Sequence, residues 1–217
     1  MLPVDLAPSP RQGRPCVTLS YAQSLDGCLT TARGQPTALS GYESLAFTHR
    51  LRAAHDAILV GIGTVLADNP RLTVRLAEGP NPQPVVVDTS LRFPLDASLS
   101  RPWIFTGNDI DPQKRVALEE RGARVFCLPL VASHRLDLAA LLKILTQEGI
   151  ASLMVEGGVQ VISSFLQAGL VDQVAITIAP LLLNSLHAPE AVLTSPVRLL
   201  APSYQRLGDD MIVWGKV

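Results

Sequence analysis

The chain has 217 residues, 47% hydrophobic and 17% charged, which supplies a sizeable core and excludes a disordered segment. Lysine plus arginine (18) nearly balance aspartate plus glutamate (19), so a net charge of −1 gives no global field for nucleic acid or an anionic membrane. Aromatic residues, at 5%, are too few for a basic-aromatic stacking surface.

Proline-rich and poor in hydrophobic pattern, residues 1–13 read as a flexible leader to a single domain over residues 14–217. Its start lacks a signal-peptide pattern, and no run reaches the roughly 18 apolar residues of a membrane helix. Cys16, Cys28 and Cys127 form no C-x-x-C pair and suit a reducing cytoplasm.

Val17 to Gln23 reads as a strand, followed by the turn Asp26-Gly27 and a short strand over Cys28–Thr31. Ser40-Gly41-Tyr42-Glu43 fits a capping box, with Ser40 and Glu43 satisfying free amides of a helix that runs to Ala54. Ala57–Val60, Pro84–Val87 and Trp103–Thr106 are short apolar strands. Asp111-Pro112 opens a helix that Gly122 closes, and Ala123–Leu128 returns as a strand. Leu138, Leu141, Leu142 and Leu145 mark an amphipathic helix ended by Gly149. Ser152–Val155 is the next strand, turned by Glu156-Gly157-Gly158 into a helix over Val159–Ala168. Val174, Ile176 and Ile178 alternate in a strand, and Ser203–Leu207 with Met211–Lys216 form a terminal hairpin.

Strands alternating with helices, several apolar throughout, predict an α/β protein: a mixed, mostly parallel sheet with helices on both faces and an antiparallel C-terminal strand pair. Ligands in such folds lie at the carboxyl ends of the strands. That directs attention to the loops after Gln23, Val60, Val87 and Val155.

Val155-Glu156-Gly157-Gly158 running into a helix is the strongest local feature. Adjacent glycines let backbone amides approach a ligand, and a helix N-terminus favours phosphate. The same two glycines also make an ordinary tight turn, and Glu156 is equally readable as a solvated loop residue. Gly61-Ile62-Gly63 lacks the third glycine of a dinucleotide fingerprint, leaving a glycine turn and a short helical segment with Thr64 and Asp68 one turn apart. Arg71 and Arg75, like Arg50 and Arg52, are phosphate forks or solvated surface groups. His49, His55, His134 and His187 show no metal-ligand spacing.

These segments occur in a telling order: Arg14-Pro15, Ser24-Leu25-Asp26-Gly27, Leu51-Arg52-Ala53, then the run from Ile58 to Arg75. Val87-Asp88-Thr89, Val155-Glu156-Gly157-Gly158, Gly169-Leu170-Val171-Asp172 and Ala179-Pro180 follow. Together they resemble the pyrimidine reductases of riboflavin biosynthesis over nearly the whole chain from Arg14. Related domains form the C-terminal half of bacterial deaminase-reductases. With no room for a deaminase half and no His/Cys zinc signature, the resemblance is to the free-standing form.

The resemblance implies a dihydrofolate-reductase-like fold, a homodimer and an NADPH-dependent reaction. Hydride passes to C1′ of a ribosylaminopyrimidine 5′-phosphate, either 2,5-diamino-6-ribosylaminopyrimidinone or 5-amino-6-ribosylaminouracil, giving the ribitylamino product. By position, it implies cofactor contacts at Ala22, Thr64, Asp68, Thr89, Gly158, Val159, Gln160, Val161, Ile162, Ser163 and Ser164. It implies substrate contacts at Arg52, Leu72, Arg75 and Glu156. Glu156 and Asp68 are the candidate catalytic carboxylates, and Thr89, Ser90 or Arg92 the candidate 2′-phosphate ligands. Ser20, Pro36 and Ala38 depart from the lysine, serine and tryptophan of bacterial two-domain relatives. Those departures keep two alternatives open: a same-fold NADPH reductase of another carbonyl or pterin-like compound, and a catalytically silent nucleotide-binding relative.

Overall fold

A computed structural model describes residues 3, 6–9, 11–32, 35, 37–131, 135–187 and 196–217. Thirteen strands and five helices follow one another among these residues. The first half holds β1 (Cys16–Ser24), β2 (Cys28–Thr30), α1 (Tyr42–Ala53), β3 (Ala57–Gly61), α2 (Ile62–Asp68), β4 (Gln83–Val87) and β5 (Trp103–Thr106). Then come α3 (Pro112–Glu120), β6 (Arg124–Cys127), β7 (Leu130–Val131), β8 (Arg135–Leu136), α4 (Leu138–Gln147), β9 (Ser152–Val155) and α5 (Val159–Gln167). The chain closes with β10 (Gln173–Ala179), β11 (Leu186–His187), β12 (Leu200–Leu207) and β13 (Asp210–Lys216).

Nine strands form one sheet in the order β12-β13-β10-β1-β9-β3-β4-β5-β6. Neighbours from β10 across to β6 run parallel, whereas β13 is antiparallel to both β10 and β12. This is the mixed sheet expected from the strand-helix alternation. Two small ladders, β2 with β11 and β7 with β8, lie apart from it. Pieces of two or three residues carry too little pattern for the sequence to reveal their pairing.

Alternate side chains of the central strands feed two cores. Ile58, Val60, Val86, Ile104 and Met154 pack with Phe47 and Leu51 of α1, Val65 of α2 and Leu118 of α3. Ala57, Leu59, Val85, Phe105, Leu153 and Val155 pack with Leu141, Leu142 and Leu145 of α4 and with Val161, Ile162 and Phe165 of α5. Helices therefore cover both faces, and the parallel strands' carboxyl ends stay open between them. Leu6 of the leader is 1% exposed and joins the first core, while Arg11 pairs with Asp172 at 3.0 Å. These leader residues are docked on the domain rather than loose.

One local expectation fails. The N-cap of α1 is Gly41, not Ser40, and no side chain caps it. Gly41 instead donates its N–H to Asp210 Oδ2 at 2.8 Å, so a carboxylate from the end of the chain supplies the acceptor. A capping box is a local solution to free helix amides, and here a tertiary one displaces it.

Long-range carboxylates also fix the frame. Buried Asp172 accepts from Arg14 Nη1 at 2.6 Å and Nη2 at 2.8 Å, and from the N–H of Val17 at 2.8 Å. Asp26 accepts from Ser24 Oγ and from the amides of Leu183 and Asn184, tying the β1–β2 turn to the loop after β10. Those donors hold its carboxyl well below the usual range. Among the described residues no helix is long and apolar enough to cross a membrane.

Candidate active site

Two adjoining cavities open at the carboxyl ends of the parallel strands. The larger, about 760 Å³, is lined by Thr89, Ser90 and Arg92 after β4, by Arg135 of β8, and by Gly158, Val159, Gln160, Val161 and Ser164 at the start of α5. The smaller, about 390 Å³, is walled by Ser20, Tyr21 and Ala22 of β1, Ala38, Arg52 of α1, Leu72 and Glu156. Thr64 and Asp68 of α2 line both, as does Gly158. One helical turn apart, Thr64 and Asp68 present a shared face at the junction.

Backbone chemistry shapes the larger cavity. Gly157, on the wall of the smaller cavity, and Gly158, which lines both, sit at φ +101° and +83°, a region that side chains resist. A Cβ on Gly158 would also meet Thr64 Oγ1 at 3.3 Å. At the end of β3, a Cβ on Gly61 would lie 2.8 Å from Val161 Cγ2, so α5 packs this closely only over glycine. The nine-residue α5 then offers its free amides to the cavity. Arg135 donates from Nη1 to Ser164 Oγ at 3.1 Å, which stations a second guanidinium, besides that of Arg92, on the cavity lining. Buried Asp88 accepts the Phe93 N–H at 2.7 Å, holding the loop that bears Ser90 and Arg92.

Charged side chains shape the smaller one. Arg52 donates from Nε to Glu156 Oε2 at 2.8 Å and from Nη2 to Glu156 Oε1, a bidentate pair. Its Nη1 reaches Thr73 O at 3.1 Å. The two side chains are 11% and 20% exposed, so each holds the other's charge in a partly dry setting. Asp68 has a different environment: it is exposed at the junction, and the partial desolvation it still feels pushes its carboxyl up from the ordinary value. Leu72 is 4% exposed and left-handed at φ +54°, held in a conformation that L-residues disfavour.

Thr64, Asp68, Thr89, Gly158, Val159, Gln160, Val161 and Ser164 thus gather at the larger cavity, and Arg52, Leu72 and Glu156 at the smaller. Ala22 stands in the smaller cavity rather than the larger. Ile162 and Ser163 are buried on the inner face of α5 and line neither. Arg75 is exposed and outside both linings, donating to Thr73 Oγ1 at 2.8 Å. Pro36 and His134 lie outside the described residues. Arg135 and Tyr21 carry no sequence signal for this site, and His49 stands in the sequence only as a histidine without metal-ligand spacing. Arg135 opens the two-residue strand β8 with no motif around it, so nothing local signals its station at the cavity.

The mixed parallel sheet with its antiparallel end and its cavities at the strand ends define a protein of the dihydrofolate-reductase-like fold. Enterococcus faecalis dihydrofolate reductase shares that fold at a TM-score of 0.55 and 12% identity, over 96% of this chain and 99% of the other. Within it, the chain belongs to the family of the RibD C-terminal domain, whose model matches residues 15–213. A relative from Methanothermobacter thermautotrophicus is 39% identical over 92% of this chain and 97% of its own length. That relative is named 2,5-diamino-6-ribosylamino-4(3H)-pyrimidinone 5′-phosphate reductase. A protein of the same name from Archaeoglobus fulgidus is 40% identical over 81% of this chain and 85% of its own. Among solved structures, the riboflavin biosynthesis reductase Rib7 of Saccharomyces cerevisiae superposes with a TM-score of 0.76 at 31% identity, covering 96% of this chain and 92% of that one.

Proposed function

We propose that this chain is an NADPH-dependent reductase acting on a ribosylaminopyrimidine 5′-phosphate in riboflavin biosynthesis, with 2,5-diamino-6-ribosylamino-4(3H)-pyrimidinone 5′-phosphate as its substrate. The observation that carries this reading is the pair of cavities meeting at Thr64, Asp68 and Gly158, in a chain that matches free-standing reductases of that name along most of their length. On the same reading the working form would be a cytoplasmic homodimer, and light scattering on the purified protein would test the dimer.

The larger cavity suits a nicotinamide dinucleotide. Its glycine cradle, free helix amides and the guanidinium groups of Arg92 and Arg135 match an elongated polyanion. The amides of α5 would hold the pyrophosphate, and Ser90 with Arg92 the 2′-phosphate that distinguishes NADPH from NADH. When bound, the dinucleotide supplies hydride.

The residues of the smaller cavity would hold the pyrimidine, with Glu156 fixed by Arg52 to orient it. Asp68, exposed at the junction and with its carboxyl raised by partial desolvation, would give a proton to the ribose ring oxygen as its bond to C1′ breaks. The exocyclic amino nitrogen that joins the pyrimidine to C1′ shares its lone pair with that carbon at that moment, and the resulting imine-like C1′ becomes the hydride acceptor. Thr64, beside Asp68 at the junction, helps align the two ligands.

The test is NADPH oxidation followed by absorbance, with the diaminopyrimidinone and the aminouracil 5′-phosphates offered separately. Preferential turnover of the diaminopyrimidinone is expected. Turnover of the aminouracil alone would move the enzyme to the other side of deamination. NADPH binding with no oxidation by either compound would overturn the pathway reading.

A further inference from the structure

The segment that carries Leu72 and Arg75 is gripped by α1 at two points. Arg52 donates to Thr73 O at 3.1 Å, and the N–H of Arg75 donates to His49 Nδ1 at 2.8 Å. His49 and Arg52 are three residues apart on α1 and share its face toward this segment. A backbone amide can only donate, so His49 Nδ1 must present its lone pair and the ring's proton must sit on Nε2. The ring is 3% exposed, leaving water no easy route to replace that acceptor.

From these contacts we infer that His49 is a positioning residue for the substrate: as a neutral ring it clamps the segment 72–75 against α1, and substrate affinity falls when the ring takes up a proton. The inference rests on the reading of the smaller cavity given above. Leu72 lines that cavity in a left-handed conformation, which persists only if its flanks are held. Arg52 grips both Thr73 and Glu156, so the clamp and the substrate-orienting carboxylate share one anchor.

Protonation would break the clamp in two ways. Nδ1 would become a donor facing a donor, and a third positive charge would appear beside Arg52 of α1 and Arg75 of the held segment. Glu156, from the turn after β9, pulls the other way. Burial together with the two arginines outweighs it and moves the ring's proton uptake below the ordinary imidazole range. The clamp is therefore closed at neutral pH and opens only on acidification.

The experiment compares the wild type with His49→Asn, which keeps an acceptor near Nδ1 but cannot titrate, and with His49→Ala, which has none. The readouts are KM for the diaminopyrimidinone phosphate, kcat, NADPH affinity by direct titration, and hydrogen exchange of the peptide spanning residues 72–75. The alanine variant should raise KM about tenfold, the loss expected when a buried amide loses its acceptor. Its kcat and NADPH affinity should stay level, and exchange in the segment should speed up. The asparagine variant should keep the wild-type KM and hold it on acidification, where the wild-type KM rises.

An unchanged KM in the alanine variant, or an equal loss of NADPH affinity, would overturn the inference. So would an asparagine variant as poor as alanine. Should His49→Ala not fold, the pH profiles of wild type and His49→Asn decide: parallel profiles contradict the clamp. Should the wild type turn over neither pyrimidine, the functional reading has failed, and hydrogen exchange alone judges the clamp, with unchanged exchange in His49→Ala overturning it.

Discussion

The two cavities touch, yet they are built on different principles. The larger one takes its anion-binding wall from backbone, the turn at Gly158 and the start of α5, facing a loop that follows β4, while side chains of α2 and β8 complete its lining. The smaller one is made of side chains drawn from β1, α1, α2 and the turn after β9, and its central pair, Arg52 with Glu156, joins residues 104 positions apart. A backbone site tolerates changes in most of its side chains, because amides and helix dipole remain. A site made of paired charges fails when either partner goes, since the survivor is left partly buried and uncompensated. Mutations should therefore separate the two functions cleanly.

Asp68→Asn should have the largest effect. If Asp68 donates the proton, kcat should drop by about a hundredfold or more, measured at saturating concentrations of both ligands. The raised Asp68 carboxyl also predicts that the rate falls as pH climbs through its value, because the protonated form is the active one. That limb should vanish from the pH profile of the asparagine variant.

Glu156→Gln should come next, lowering kcat/KM for the pyrimidine by about a hundredfold while direct titration shows NADPH affinity unchanged. Loss of both affinities together would mean that the cavities are not functionally separate. Arg92→Gln is the converse probe: NADPH affinity should weaken about tenfold, NADH affinity should hold, and the pyrimidine KM should not move. Equal weakening of both dinucleotides would place Arg92 on the pyrophosphate instead.

The smallest effect belongs to the frame beneath both cavities. His55 is buried, donating from Nδ1 to Leu51 O at 2.7 Å and accepting from Thr18 Oγ1 at 2.8 Å through Nε2. Burial pushes the folded ring's pKa below that of the unfolded chain. Its contribution to stability is therefore present above about pH 6.5 and is lost as pH falls through the folded value. Thermal melts should be flat near neutrality and decline on acidification, less steeply in His55→Gln.

The same contrast explains what could be read in advance. Apolar runs such as Ala57–Val60 and the leucines of α4 predicted the sheet and helices, because burial on both faces leaves a simple pattern. The turn Glu156-Gly157-Gly158 stood out since its chemistry is contiguous. The capping of α1 is not legible locally because its acceptor, Asp210, comes from the far end of the chain. Likewise nothing local reveals that Arg52 meets Glu156, that Arg135 reaches Ser164, or that His49 accepts from Arg75. Family resemblance marked several of these positions, but only folding shows which touch and which, like Ile162, point into the core.

A crystal structure of the protein with NADP⁺ tests the division between the cavities most directly. Density with the pyrophosphate on the amides of Gly158 to Gln160 and the nicotinamide ending at Thr64 and Asp68 is the predicted result. Density for the dinucleotide in the smaller cavity, against Arg52 and Glu156, would contradict it.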